Sequence, residues 1–366
     1  MKNRIRLAVI FGGRSGEHDV SLMSAQSILS VLDPQKYEVT QIGITHQGVW
    51  LTGTDVLQAF QSNHMGKLQP AIFLPQPGEH TLYSVKEGQL KRITDLDVIF
   101  PVLHGTFGED GTLQGFLELA DIAYVGAGVL GSSVGMDKGL FKYVMRANDI
   151  PVLEYTILNR SEIQADPGAA IAKCEAVANY PLFIKPANLG SSVGISKVHN
   201  RAELIHCFEL AAAYDRRVVV ERGIEAREIE ISVLGNDNPV ASVPGEVIPK
   251  DVFYTYEDKY IHGVAELIIP AQISEERSHA LRSLAIKAYE AIDCAGMARV
   301  DFFIDKHSNE IFLGELNTIP GFTKISMYPK LWEASGLSYQ QLVDRLIDLA
   351  FERKLDRDQT ERVFKS

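Results

Sequence analysis

Two carboxylates and an amide in the last third of the chain have a spacing that suits a cation. Glu315 and Asn317 are two residues apart, so they share a face if their segment is a strand. Asp301 lies in the apolar segment that precedes them. Mg²⁺ prefers oxygen ligands, usually carboxylates together with substrate phosphates. We therefore predict a divalent-cation site, against the alternative of a solvated hairpin face carrying ordinary charges.

Two strands must position these side chains. Residues 297–304 and 310–317 are predicted strands, joined by a polar turn over 305–309. Alternation along the first strand places Arg299, Asp301 and Phe303 on one face, and Val300, Phe302 and Ile304 on the other. If the turn centres near Ser308, Asp301 and Glu315 become cross-strand neighbours. Arg299 then lies beside them.

A second group of residues suits phosphate. Lys185 ends the apolar segment 181–185 and precedes a Gly- and Ser-rich loop over 188–194, whose backbone N–H groups can approach phosphate oxygens closely. Lys138 and Lys259 are further candidate phosphate ligands, although such lysines are often surface residues. No GxxxxGK[ST] motif occurs, which disfavours a P-loop kinase.

Two acids suit the nucleoside. The apolar segment 218–221 ends in Glu221 and could carry adenine, and Glu228 could accept hydrogen bonds from ribose. The loop 12–19 follows a predicted strand but lacks GxGxxG, so we do not expect a dinucleotide there. Glu17 in that loop is suited to an ammonium group.

The remaining pattern predicts three α/β units, over residues 1–135, 136–222 and 223–366. Strands at 5–11, 39–44, 97–103 and 122–125 indicate a small parallel sheet, with a polar Pro- and Gly-rich stretch reaching about residue 90. In the second unit, a helix with Leu140, Phe141, Val144 and Met145 on one face ends at Ile150-Pro151.

The third unit is predicted to begin with strands at 228–234 and 240–248. A long helix follows Ser274, which caps it. The buried stripe of that helix is predicted to be Ala280, Leu281, Leu284, Ala285, Ala288 and Tyr289.

Composition excludes several classes of protein. The 366 residues are 46% hydrophobic and 23% charged, typical of a globular enzyme, and no apolar run is long enough to span a membrane. The short apolar run near the N-terminus lacks a cleavage site, so we expect a strand there and a cytoplasmic protein. Three dispersed cysteines indicate buried thiols rather than a metal site. A net charge of −11 argues against nucleic-acid binding.

Five motifs together resemble the D-alanine–D-alanine ligases of the ATP-grasp superfamily. They are GGRSGEHDVS at 12–21, HGTFGEDG at 104–111, KPANLGSSVG at 185–194, YTYEDKY at 254–260 and ELNTIPGFTKIS at 315–326. The resemblance covers nearly the whole chain. It implies an α/β fold that is α+β in its C-terminal part, in which an N-terminal parallel domain accompanies central and C-terminal domains that enclose ATP.

The same resemblance implies a reaction. ATP phosphorylates one D-alanine, and a second D-alanine displaces phosphate to give D-alanyl-D-alanine, a peptidoglycan precursor. It implies Mg²⁺, as two ions for which Mn²⁺ can substitute, held by Asp301, Glu315 and Asn317. Residues implied to bind ATP are Lys138, Lys185, Glu221, Arg222, Glu228, Lys259 and Phe303.

Substrate contacts are implied in the same way. Glu17, with Ser191 and Tyr260 as partners, orients the first D-alanine, and Val20, His104 and Ser192 complete its site. Arg299 and the Gly321 N–H match oxyanion donors, and Ser326 matches the clamp on the second carboxylate. A loop over 250–262 is expected to exclude water. The family usually forms homodimers, with neither nucleic acid nor membrane as a partner.

Three alternatives stay open at this point. A related ligase would make D-alanyl-D-lactate or D-alanyl-D-serine, although Tyr260 favours the dipeptide. A catalytically silent regulator would bind ATP without turnover. A nicotinamide dehydrogenase is opposed by the missing fingerprint. For Lys324, before Ser326, no role is predicted.

Overall fold

The structure, a computed structural model, describes residues 4–190, 193–248 and 266–362. The predictions for Ser191, Ser192, Lys259, Tyr260 and the loop 250–262 lie outside the described residues. No helix among the described residues is both long and apolar enough to cross a bilayer.

The first sheet has the order β4-β3-β2-β1-β8-β9. Its centre is parallel, as predicted, because β1 pairs with β2 and β8, and β8 with β9. The carboxyl ends of β1 and β8 lead into Gly12 and His104. The strands are β1 Ile5–Gly12, β2 Tyr37–Ile44, β3 Trp50–Thr52, β4 Gln69–Pro70, β8 Val98–Val102 and β9 Ala123–Tyr124. The helices are α1 His18–Leu29, α2 Val56–Gln61 and α3 Thr112–Leu119.

The polar stretch before residue 90 contains a separate small sheet. Strands β5 Ile72–Phe73, β6 Thr81–Lys86 and β7 Gln89–Asp95 form it in that order. Glu87 and Gly88 turn the chain between β6 and β7, and both have positive φ, which suits the right-handed twist of a hairpin.

The second sheet is antiparallel, with the order β10-β13-β11-β12. Its strands are β10 Tyr155–Asn159, β11 Leu182–Pro186, β12 Ser196–Val198 and β13 Arg217–Arg222. The helices are α4 Val129–Met136, α5 Lys138–Ala147, α6 Arg160–Ala165, α7 Pro167–Glu175 and α8 Arg201–Tyr214. On α5, Phe141 and Met145 are buried as predicted, whereas Leu140 is exposed, because that helix buries a narrower stripe.

The third sheet is antiparallel and has the order β17-β16-β14-β18-β19, with β15 paired to β14. Its strands are β14 Ala226–Gly235, β15 Val240–Ala241, β16 Gly245–Ile248, β17 Glu266–Ile268, β18 Gly296–Asp305 and β19 Ile311–Asn317. The predicted strand 240–248 is two strands. Pro244 lies between them and has no N–H to donate to a ladder.

Within residues 266–362 the structure has three helices: α9 Glu275–Ala291, α10 Met327–Ala334 and α11 Tyr339–Arg357. Ser274 caps α9 as predicted, accepting a hydrogen bond from the Arg277 N–H. The buried stripe of α9 includes Leu281 and Ala285, but Ala280 is exposed.

The C-terminal helix packs beneath the first sheet. Leu346 of α11 shares one apolar core with Leu7 of β1 and Phe100 of β8, and Phe322 belongs to the same core. At the edge of this contact, Arg357 bonds Asp121 at 3.1 Å. The first sheet and α11 therefore share one core, and the loop after β19 is held against that sheet through Phe322. The predicted boundaries of the three units stay a prediction.

Candidate active site

The predicted carboxylate pairing is confirmed. Asp301 on β18 lies opposite Glu315 on β19, and Arg299 lies opposite Asn317. A bulge follows this pair, since Phe302 lies opposite Leu313 and Gly314 is the extra residue. A side chain at Gly314 would meet the Phe303 ring at 2.7 Å, which explains why glycine suits the bulge.

Arg299 bridges the acids of this face. Its guanidinium binds Asp301 through two hydrogen bonds of 2.7 Å and lies 3.0 Å from Glu230. Asn317 donates a hydrogen bond of 3.1 Å to the same Asp301 carboxylate. Glu230 lies opposite Asp301 on β14, so the arginine is fixed between two strands. Sequence reasoning named Glu228 but missed Glu230, although alternation along β14 was a usable signal.

The residues present fit a divalent cation. Asp301, Glu315 and Asn317 offer hard oxygen donors from adjacent strands, as Mg²⁺ requires. Their side chains are only partly buried, so phosphate oxygens and water can complete a coordination shell. Lys138 lies 3.9 Å from Glu315, which places a phosphate-binding candidate beside the acids.

Lys138 is held at the start of α5. Its ammonium donates to the Leu189 carbonyl at 2.7 Å, and its backbone N–H donates to the Ala187 carbonyl at 2.9 Å. Asp137 before it caps α5 and accepts a hydrogen bond from Asn188. The start of the predicted phosphate loop is thereby tied to the helix that carries Lys138.

A buried acid on the second sheet, Glu221, lies between Lys185 of β11 and Lys142 of α5. Lys185 bonds Glu221 at 2.6 Å, and the ammonium of Lys142 lies 3.0 Å from the other oxygen of the same carboxylate. Burial would raise the pKa of Glu221, but the two lysines outweigh it and hold that pKa below its usual range. Burial lowers the pKa of Lys142. Sequence reasoning missed Lys142, because it looked like one more polar residue of an amphipathic helix.

The other candidate nucleotide residues lie on neighbouring strands. Glu228 on β14 is the register partner of Phe303 on β18. Burial lowers the pKa of Lys185, yet Glu221 and, more weakly, Glu315 and Glu228 raise it overall. Arg222 ends β13, with its guanidinium 5.4 Å from the centre of the Phe312 ring.

Glu17 lies where two glycine loops meet. A side chain at Gly105 would come within 2.6 Å of the Glu17 carboxylate, and one at Gly190 within 2.8 Å. The acid is therefore in contact with both the loop after β8 and the predicted phosphate loop. Val20, one turn along α1, is fully buried.

Glu109 is a further acid that sequence reasoning missed. It accepts a hydrogen bond of 2.7 Å from the Gly105 N–H and faces the same cleft as Glu17. Burial raises the pKa of the Glu109 carboxyl well above its usual range, and repulsion from Glu17 adds to this. Its place in the motif at 104–111 was the available signal.

His104 is buried with both ring nitrogens engaged by protein groups. Nδ1 lies 3.0 Å from the Ile319 carbonyl, and Nε2 lies 3.1 Å from the Ser24 hydroxyl. Burial lowers the pKa of His104, and Arg299 contributes to the same effect. The ring is thus neutral and joins α1 to the loop after β19.

That loop contains the last two predicted residues. Gly321 is buried, and Ser326 precedes α10. The Ser326 hydroxyl accepts a hydrogen bond from the Thr323 N–H at 3.1 Å and lies 2.8 Å from the Thr323 hydroxyl. Lys324 between them is exposed.

One group outside this region also has metal-ligand chemistry. Ligand atoms of His18, Asp19 and His46 lie within 4.8 Å of one another. The two imidazoles are stacked, with centroids 3.8 Å apart and planes 26° apart, so their in-plane lone pairs run nearly side by side. Because those lone pairs do not converge, we assign no metal there.

One cleft joins many of the predicted residues, although Asp301, Lys185 and Ser326 are not part of its lining. It is lined by Glu17, His104, Lys138, Arg299, Glu315, Asn317 and Gly321. The structure therefore brings together a candidate ammonium site, a candidate phosphate site and part of the cation face, drawn from the first, second and third sheets and their loops.

Comparison with known proteins agrees with this arrangement. Residues 6–127 match the family model described as D-ala D-ala ligase N-terminus, and residues 144–348 match D-ala D-ala ligase C-terminus. The D-alanine–D-alanine ligase of Natranaerobius thermophilus is 48% identical over 362 residues, which cover 99% of each chain.

Two solved structures are also similar. The D-alanine–D-alanine ligase of Coxiella burnetii has a TM-score of 0.84 at 37% identity, covering 97% of this chain and 96% of that one. The VanG D-Ala:D-Ser ligase of Enterococcus faecalis has a TM-score of 0.85 at 36% identity, covering 95% and 100%.

The fold is that of the ATP-grasp enzymes. Within that class, the chain belongs to the D-alanine–D-alanine ligase family.

Proposed function

We propose that this protein joins two D-alanine molecules at the expense of ATP, for peptidoglycan precursor synthesis. One observation carries the proposal: Arg299, Glu315 and Asn317 line the same cleft as Glu17. A ligase of this type must bring a phosphate donor to the carboxyl group of one amino acid. It must also bind the ammonium group of the same amino acid. The cleft supplies groups suited to both.

Phosphoryl transfer comes first in this scheme. Lys138 and Lys185 are placed to hold phosphate oxygens, and Asp301, Glu315 and Asn317 would hold Mg²⁺, or Mn²⁺ in its place. When bound, the cation neutralises phosphate charge. The carboxylate oxygen of the first D-alanine attacks the γ-phosphorus, the bond to the β-phosphate oxygen breaks, and ADP leaves. Positioning carries this step, since phosphoryl transfer needs little covalent help.

Nucleotide binding is assigned to the second and third sheets. Glu221 and Arg222 are placed on the adenine side, and Glu228 on the ribose side, with Phe303 on the adjoining strand. Lys185 contacts Glu221 in this structure. We infer that it exchanges this contact for phosphate when ATP binds. Lys259 belongs to the same proposal by its motif alone.

Peptide formation follows. The amine of the second D-alanine attacks the acyl carbon, which forms a tetrahedral oxyanion. Collapse then expels phosphate, and the amine loses its proton. Arg299 and the Gly321 N–H are placed as oxyanion donors. Two hydrogen bonds to Asp301 and the contact with Glu230 orient Arg299 before the charge develops, as electrostatic preorganisation requires.

Substrate grip completes the proposal. Glu17 holds the first ammonium group beside Val20 and His104, and Ser191, Ser192 and Tyr260 join it through their motifs. Ser326, at the N-terminus of α10, holds the second carboxylate. We also infer a cytoplasmic homodimer, since the reaction consumes ATP and the family pattern implies a dimer. Light scattering of the purified protein tests the dimer.

A second candidate product is D-alanyl-D-serine. The VanG structure named above is that of a D-Ala:D-Ser ligase, and its fold similarity to this chain is as high as that of the Coxiella ligase. The two products differ only in the second substrate.

The test is phosphate release from ATP and Mg²⁺. D-alanine alone should support turnover, and adding D-serine or D-lactate should not increase it. Chelation of the metal should abolish turnover. No phosphate with D-alanine alone would refute the proposal. Binding of ATP without any turnover would instead support a silent regulator.

A further inference from the structure

Ser24 and His104 connect the N-terminal sheet to the loop that carries Gly321. Ser24 lies in the middle of α1 and is fully buried, 80 residues from His104 in sequence. His104 in turn bonds the Ile319 carbonyl, which is 215 residues away. The Ser24 hydroxyl also accepts a hydrogen bond of 3.3 Å from the Phe322 N–H.

The hydrogen positions in this network follow from its partners. A carbonyl can only accept, so Nδ1 of His104 must donate to Ile319. Nε2 of the neutral ring is then an acceptor, and the Ser24 hydroxyl donates to it. The remaining lone pairs of that hydroxyl accept from Phe322. Each group has one compatible role, and no proton is shared between two acceptors.

These contacts lie on both sides of Gly321. Ile319 is two residues before it, and Phe322 is the next residue. Tyr339 of α11 fixes Phe322 from the other side, with a hydrogen bond of 2.5 Å to its carbonyl. The polar contacts on both sides of Gly321 therefore come from α1, from the loop after β8 and from α11.

Helix α1 also begins beside the candidate ammonium site at Glu17. Glu17 immediately precedes α1. Ser24 lies seven residues further along, about two helical turns from Glu17. One rigid element thus contacts both the candidate ammonium site and the candidate oxyanion loop.

We propose that Ser24 is a positioning residue for the second chemical step. It acts through His104 and directly on Phe322 to hold the Gly321 N–H where the oxyanion forms. This inference rests on the proposed function. In this role His104 works through the loop, because both its nitrogens are already engaged.

The test compares Ser24→Ala with Ser132→Ala in the full-length protein. Ser132, on α4, is also fully buried, and its hydroxyl lies 3.5 Å from the Ala127 carbonyl, which is outside the network of Ser24, His104, Ile319 and Phe322. First-turnover ADP formation, released phosphate and dipeptide are measured, together with the melting temperature. The ratio of phosphate to dipeptide reports how much acyl phosphate is lost to water.

Ser24→Ala should slow dipeptide formation by on the order of 10- to 100-fold, since small misplacements of a reacting geometry have effects of this size. ADP formation should fall less, so phosphate should exceed dipeptide. Ser132→Ala should keep the two products equal. Equal products and an unchanged kcat in Ser24→Ala would overturn the inference, whatever happens to the melting temperature.

A measurement on the wild-type protein covers a variant that fails to fold. Nitrogen-15 NMR of the histidine rings, assigned by loss of the signal in His104→Asn, should show a neutral ring protonated at Nδ1. An Nε2–H tautomer or an imidazolium at pH 7 would break the network and overturn the inference. If wild-type protein releases no phosphate from ATP and D-alanine, the proposed function itself fails. If the wild type is active and Ser24→Ala has the same kcat and the same ratio of phosphate to dipeptide, this inference fails while the proposed function stands.

Discussion

Asp301 and Glu315 face each other across β18 and β19, one residue pair before a bulge in the ladder. Two carboxylates so placed would repel each other, and two basic side chains offset this repulsion. Arg299 binds Asp301, and Lys138 approaches Glu315 at 3.9 Å. The two acids thus each have a basic side chain nearby. Such a mixture of acidic and basic groups suits a site that binds a metal ion, phosphate and an amino acid.

Glu315→Gln should reduce turnover by on the order of 100-fold or more, because one anionic metal ligand is lost. The free energy of unfolding should change far less, since the Glu315 side chain is partly exposed and lies 3.9 Å from Lys138. Phosphate release over a Mg²⁺ titration and urea unfolding measure the two effects. Glu310→Gln, in the exposed turn of the same hairpin, is the control. Equal losses of activity and stability would favour a structural role.

Arg299→Lys should lower kcat by on the order of 10²- to 10³-fold, the size expected for one oxyanion donor. Lysine keeps the charge but cannot make the two-pronged contact with Asp301. Arg227→Lys is a matched control, since Arg227 makes the same kind of pair with Glu246, at 2.7 Å for both bonds. Similar activity in both variants would remove Arg299 from the chemistry.

Lys142→Met should destabilise the fold by on the order of 3 kcal/mol, because it takes one cation away from a buried acid. The KM for ATP should rise, since Glu221 would keep only Lys185, while the KM for D-alanine should stay unchanged. Lys173→Met breaks the exposed pair between Lys173 and Glu162 and should change the stability far less. Urea unfolding and steady-state kinetics provide the readouts. A rise in both KM values would argue against a local effect on the nucleotide side.

His104 should make stability depend on pH below about 6.5. Its folded-state pKa is lowered by burial and by Arg299, although Glu17 partly opposes this. As pH falls below 6.5, the unfolded chain takes up a proton that the folded ring does not. Stability is therefore full above 6.5 and is lost towards the folded pKa, at up to about 1.4 kcal/mol per pH unit.

Urea unfolding at several pH values measures this dependence. His104→Asn should flatten the slope between pH 7 and pH 5. His18, whose pKa burial also lowers, should keep a smaller dependence in that variant. An identical slope in wild type and His104→Asn would contradict the prediction.

Much of the cation face could be predicted from local pattern. Alternation placed Arg299 and Asp301 on one side of β18, because a period of two fixes the face of every residue in a strand. The ladder nearest the turn pairs Ile304 with Ile311 and would bring Asp301 opposite Gly314, so the bulge at Gly314 is what joins Asp301 to Glu315. Local patterns also indicated the lysines and Glu17 as candidates, and the family motifs implied their particular roles.

Other parts of the site needed the tertiary structure. Glu230 reaches Arg299 only because β14 pairs with β18, and Lys142 meets Glu221 only because α5 packs on the second sheet. The link from Ser24 through His104 to Ile319 spans most of the chain. The sequence by itself determined which residues could do the chemistry and which of them share a strand face. Only the packed fold decided which acid meets which cation, because burial and long-range pairing have no local period.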